Sequence, residues 1–146
     1  MPITKLHFKM IAIIKANFNA TITDLLLAGC VDELDARQEK YTIFECAGAV
    51  ETVVFANRVI ETSQYDAVIV IGAIIKGDTD HYEYVCQYVT QGFATIAATR
   101  LTPVIFGILT TQNESLAYER AAVDKMNKGQ EFATTAIEMM HSFRAL

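Results

Sequence analysis

The chain is 146 residues long, 52% apolar and 20% charged, with a mean hydropathy of +0.26. That length suits one domain, and that composition excludes a disordered chain. Twelve Lys and Arg against 17 Asp and Glu leave a net charge of −5, so there is neither the basic footprint of a nucleic-acid binder nor, the acids being scattered, an acidic tail.

Cys30, Cys46 and Cys86 lie far apart with no C-x-x-C pair. An odd, unclustered set argues against a disulfide framework and against a metal site, and for small buried hydrophobes in a reducing compartment. No run of ~20 apolar residues offers a membrane span. The opening Met1-Pro2-Ile3-Thr4-Lys5 lacks the apolar core and small-residue cleavage site of a secretion signal, so a cytoplasmic protein is expected. The apolar content is high for a small monomer, which places part of it in subunit contacts.

In chain order, Phe8–Ile14 reads as a buried strand, and the leader Met1–His7 has no evident partner within the domain. Thr21-Ile22-Thr23-Asp24 reads as a capping box, followed by apolar residues at helical spacing: Ile22, Leu25, Leu26, Cys30 and Leu34. A second strand at Tyr41–Phe44 precedes a helix over about Ala49–Glu61, and a third at Ala67–Ile71 precedes a long helix over about Asp80–Arg100. Pro103 opens a fourth strand, Val104–Leu109, and two further helices cover about Asn113–Ala122 and Asn127–Phe143. Near-continuous apolar strands belong to sheets covered on both faces. Their alternation with helices predicts an α/β fold, a three-layer flavodoxin-like sandwich around a four-stranded parallel sheet. No linker or repeat divides the chain.

In such a sheet, ligands bind beyond the carboxyl ends of the strands. That rule selects Asn17-Phe18-Asn19, Gly48-Ala49-Val50-Glu51, the stretch from Gly72 to His81, and Leu109-Thr110-Thr111. The third is the richest. Its glycine, threonine hydroxyl and main-chain N–H groups lead into a helix N-terminus, a setting suited to phosphate or another anion. His81 stands in the first turn of that helix, where an imidazole can take and return a proton. Each feature also has an ordinary reading: a cap beside an incidental histidine, Phe18 as a core plug, Glu51 as a dipole complement, Arg120 and Lys128 as solvated charges. Spacing alone supports an anion-binding α/β domain.

The same loops resemble, in order, those of the lumazine synthase family of riboflavin biosynthesis. The resemblance rests on Asn17-Phe18-Asn19-x-x-Ile22-Thr23, on Gly48-Ala49-Val50-Glu51, and most specifically on Gly77-x-Thr79-x-His81-Tyr82-x-Tyr84-Val85. Pro103-Val104-x-Phe106-Gly107-x-Leu109-Thr110-Thr111, Glu119-Arg120 and Asn127-Lys128-Gly129 continue it to the C-terminus. It implies one lumazine-synthase-like domain over residues 1–146. It also implies a cofactor-free condensation of 5-amino-6-(D-ribitylamino)uracil with 3,4-dihydroxy-2-butanone 4-phosphate to 6,7-dimethyl-8-ribityllumazine.

Carried over by position, His81 is the proton-transfer residue. Phe18, Ala49, Val50, Glu51, Ala73, Ile74, Ile75, Phe106 and Lys128 are pyrimidine-pocket positions, the last two reaching across a subunit boundary. Asp78, Thr79 and Arg120 are phosphate positions. Val50 and Lys76 stand where the family often has an aromatic residue and an arginine. The resemblance further implies homopentamers or icosahedral shells of twelve pentamers, with riboflavin synthase as a further partner. Met1–His7 could then add a strand to a neighbouring sheet. Two other readings stay open on sequence: an archaeal-type riboflavin synthase, and a non-catalytic flavin-binding or shell-forming relative.

Overall fold

The computed structural model describes residues 10–146. Four strands and five helices follow one another: β1 (Ile11–Ala16), α1 (Ala20–Ala36), β2 (Tyr41–Cys46), α2 (Ala49–Glu61), β3 (Ala67–Ile75), α3 (His81–Thr99), β4 (Val104–Thr111), α4 (Glu114–Ala121) and α5 (Lys128–Arg144). The strands pair in the order β2-β1-β3-β4, all parallel. This is the expected three-layer flavodoxin-like sandwich. The leader Met1–His7 and the first two residues of the predicted strand Phe8–Ile14 lie outside the described residues.

The apolar runs form strands because both sheet faces are covered. Along β1 the side chains alternate, so Ile11 and Ile13 join a core with α1, α4 and α5, while Ala12 and Ile14 join a second core with α2 and α3. Every residue of β1 is buried. The helix α5 lies so close on α1 that a Cβ at Gly129 would come within 2.0 Å of the Leu26 carbonyl oxygen. Only glycine permits that approach.

Strand ends and one cap are corrected: β1 and β2 each run two residues beyond the predicted Ile14 and Phe44, to Ala16 and Cys46, which pair with each other. β3 does not end at Ile71. It continues through Gly72–Ile75, because those residues pair with Ile108–Thr111 of a β4 that is itself two residues longer than predicted. Nor is Thr21-Ile22-Thr23-Asp24 a capping box, since α1 already begins at Ala20 with Asn19 as N-cap in the left-handed region (φ 61°). Thr23 instead points into the core with its hydroxyl unpartnered, and the Thr21 hydroxyl donates to Glu114 at 3.4 Å, joining α1 to α4.

Candidate active site

The order β2-β1-β3-β4 reverses direction between β1 and β3, and a cleft opens there beyond the strand ends, as it does in other open α/β sheets. Its volume is about 470 Å³, and its walls are the turn after β1, the β2–α2 junction, the end of β3 and the first turns of α3.

Three hydrogen bonds hold the first wall. The Asn17 N–H donates to the Cys46 carbonyl (2.8 Å), and the Phe18 N–H donates to that of Ala47 (2.9 Å). The Asn19 amide donates to the Ala73 carbonyl at 2.8 Å. The turn is thereby tied to β2 and β3, with Phe18 at its apex. Phe18 keeps 71% of its surface exposed, which excludes the core-plug reading of this ring.

Opposite stand Ala47, Gly48, Ala49, Val50 and Glu51. A Cβ at Gly48 would lie 3.3 Å from Glu51 Oε2, a tight approach, and in ordinary contact with Phe18 Cβ at 3.5 Å, so the two walls meet close to this glycine. Ala73, Ile74 and Ile75 supply the strand edge, and Gly77, Thr79, His81, Tyr82 and Val85 complete the lining. Neither Gly48 nor Asp80, the N-caps of α2 and α3, caps its helix with a side chain. The Thr79 hydroxyl accepts from the His81 N–H at 3.3 Å. Two helix N-termini, with their unsatisfied N–H groups and positive dipole ends, therefore border one apolar cleft.

Glu51, His81 and Tyr82 are the ionisable groups among the described lining residues, and no Lys or Arg is among them. Burial pushes the Tyr82 phenol above its ordinary range, and the adjoining Cys86 adds to the rise. Burial first, and the Glu51 charge second, likewise raise the Cys46 thiol at the end of β2. Both groups stay protonated at neutral pH.

The cleft thus unites Phe18, Ala49, Val50, Glu51, Ala73, Ile74, Ile75, Thr79 and His81 from the sequence-selected set. Asp78 is exposed and does not line it. Phe106 and Lys128 lie on a different surface, a groove between β4 and α5 that includes Pro103, Glu131, Phe132 and Met139. There Phe106 packs edge-on against Phe93, with centroids 5.7 Å apart, and Lys128 pairs with Glu131 at 2.9 Å. Arg120 lies in neither. Its guanidinium donates to the Leu116 carbonyl within α4 at 3.1 Å. Asn19, Gly48 and Gly77, which the strand-end rule selects, and Ala47, Tyr82 and Val85, which it does not, also belong to the lining although the resemblance assigns them no role. All but Ala47 sit inside the quoted motifs, so their position was the available signal.

Topology and cleft together define a flavodoxin-like α/β protein with an open cleft at the switch point of its sheet. Residues 9–144 match the family model of 6,7-dimethyl-8-ribityllumazine synthase. The chain belongs to that family, and is an enzyme of the lumazine synthase kind, in riboflavin biosynthesis. Among the described residues, no helix is long and apolar enough to cross a membrane.

Proposed function

We propose that this protein condenses 5-amino-6-(D-ribitylamino)uracil with 3,4-dihydroxy-2-butanone 4-phosphate, releasing phosphate and water and forming 6,7-dimethyl-8-ribityllumazine. The observation that carries this reading is the cleft itself: an exposed aromatic ring, a carboxylate, a histidine and two open helix N-termini around an apolar space. The pyrimidine ring stacks on Phe18, whose free face matches a planar heterocycle. Glu51 accepts hydrogen bonds from ribityl hydroxyls, while Ala49, Val50 and the Ala73-Ile74-Ile75 edge enclose the ring.

The chemistry requires one amine to add to a ketone with loss of water, elimination of phosphate, and ring closure by the second nitrogen on the remaining carbonyl with loss of a second water. His81 supplies the proton transfers, a contribution of roughly 10²–10⁴-fold. Holding both substrates in one cleft supplies the proximity term. Neutral imidazole takes a proton from the adding amine, and imidazolium returns it to a leaving oxygen.

The phosphate group lies at Thr79 and the N–H groups around Asp78, whose carboxylate turns to solvent. A phosphate held only there would lack a cationic partner, because no Lys or Arg lines the cleft in the described residues. That absence favours a site completed by a neighbouring copy, with Phe106 and Lys128 closing the pyrimidine side and Arg120 neutralising phosphate. A homopentamer is the minimum assembly that this reading takes from the family; an icosahedral shell and contact with riboflavin synthase belong to the same expectation.

Incubating the purified protein with both substrates and following lumazine absorbance tests the reaction. Appearance of lumazine at a rate above the uncatalysed condensation is expected. Conversion of lumazine to riboflavin instead would identify a riboflavin synthase, and no turnover with flavin binding retained would identify a non-catalytic relative.

A further inference from the structure

We infer that Lys15 is a positioning residue for the Phe18 wall, its ammonium bracing the Asn17–Asn19 turn against β1 and α1. The inference rests on the proposed stacking role of Phe18. Lys15 is the one charged residue of β1, and only 5% of it is exposed. It shares the α1 face of the strand with Ile11 and Ile13, where an apolar side chain would extend the core. Burying an ammonium there is costly unless it is paired and hydrogen-bonded.

It is both. Lys15 Nζ stands 2.5 Å from Asp24 Oδ1 on α1 and donates to Asn17 Oδ1 at 3.3 Å. The Asp24 side chain is 64% exposed, so the pair is open to solvent on its acid side and buried on its basic side. A core-filling residue is commonly as stable as such a pair, or more so, which leaves stability a poor account of this lysine. What the ammonium adds is a tie to the turn. Packing does not aim the Phe18 ring, which is mostly exposed, so the path of Asn17–Asn19 decides where it points. Hydrogen bonds to Cys46, Ala47 and Ala73 hold that path from the β2 and β3 sides. Lys15 holds it from the side of α1.

The test pairs Lys15→Met, which keeps length and removes charge, with Asn17→Ala, which alters an exposed side chain and removes the same tie. Amide hydrogen exchange is read at Asn17 and Phe18, and binding of 6,7-dimethyl-8-ribityllumazine by its own fluorescence, since the chain has no Trp. Both variants should exchange these two amides about 10-fold faster and bind the lumazine about 3–10-fold more weakly, the scale of one hydrogen bond. In a Phe18→Ala background, the same substitutions should change binding less than about 2-fold, because the ring they position is gone. Wild-type exchange and binding in both variants, or an equal loss without the Phe18 ring, would overturn the inference. If the unaltered protein does not bind the lumazine, the proposed function fails, and the exchange rates still decide whether the brace exists.

Discussion

Replacing Phe18 with Ala separates two roles for one ring, and the structure sets the size of each effect. With 71% of the residue in water, truncation removes roughly 45–75 Å² of buried surface from a side chain that buries about 150–250 Å² when fully enclosed. At about 25 cal/mol per Å² the loss of folding stability is about 1–2 kcal/mol, against about 3–5 for truncating a core Phe. Base–aromatic stacking contributes about 1–3 kcal/mol, so binding of the lumazine product should weaken by roughly 5–150-fold. Titration by ligand fluorescence measures the second quantity, and urea unfolding followed by circular dichroism measures the first. A variant that loses more than about 3 kcal/mol of stability but binds lumazine as tightly as the wild type would refute the stacking wall and the geometry behind it.

Replacing His81 with Ala should lower kcat by on the order of 10–10³-fold at saturating substrates, somewhat less than the usual general acid–base share because the two substrates are intrinsically reactive; wild-type turnover would remove its role. Reassembling His81→Ala with Lys128→Ala chains should restore activity if the two residues complement across an interface, and verified mixed oligomers without recovery would show a site complete in one chain. The Gly129→Ala variant should lose about 3 kcal/mol or more in chemical denaturation, because its methyl group would collide with the Leu26 carbonyl at 2.0 Å. Burial pushes the Cys30 thiol from 9.0 up to about 12. The unfolded chain therefore ionises first, and stability is full below pH 9 but falls by up to about 4 kcal/mol as pH rises through about 12. Unfolding measured against pH should show this slope in the wild type and a shallower one in Cys30→Ala.

The sequence by itself determined that this is an α/β protein whose sheet is covered on both faces, because near-continuous apolar runs such as Ala67–Ile71 belong inside such a sheet, although the edge strand β2 is only partly covered. It also determined where to look for ligands, since strand ends carrying Asn17–Asn19, Gly48–Glu51 and the segment from Gly72 to His81 were marked by turn chemistry. The helices α2, α3, α4 and α5 lie within a residue of their predicted limits at each end, helped by Gly48 before α2 and the Asn113 side chain, which accepts from Leu116 N–H at 2.8 Å.

Tertiary structure decided the rest. The true end of β3 depends on pairing with β4, where Gly72 meets Ile108 far along the chain, and no local signal distinguishes Gly72–Ile75 from a loop. Thr21–Asp24 satisfies the local pattern of a cap, but Asn19, anchored across the sheet to Ala73, starts the helix earlier. The division between Phe18, Glu51 and His81 in one cleft and Phe106 and Lys128 in another groove is likewise a matter of which strand ends lie side by side. So is the burial of Lys15, a single charge in an apolar strand whose partners, Asp24 and Asn17, come within reach only when α1 folds back over β1. Periodicity reports what each segment must bury; it does not report which segment does the burying, because that depends on contacts between residues far apart in the chain.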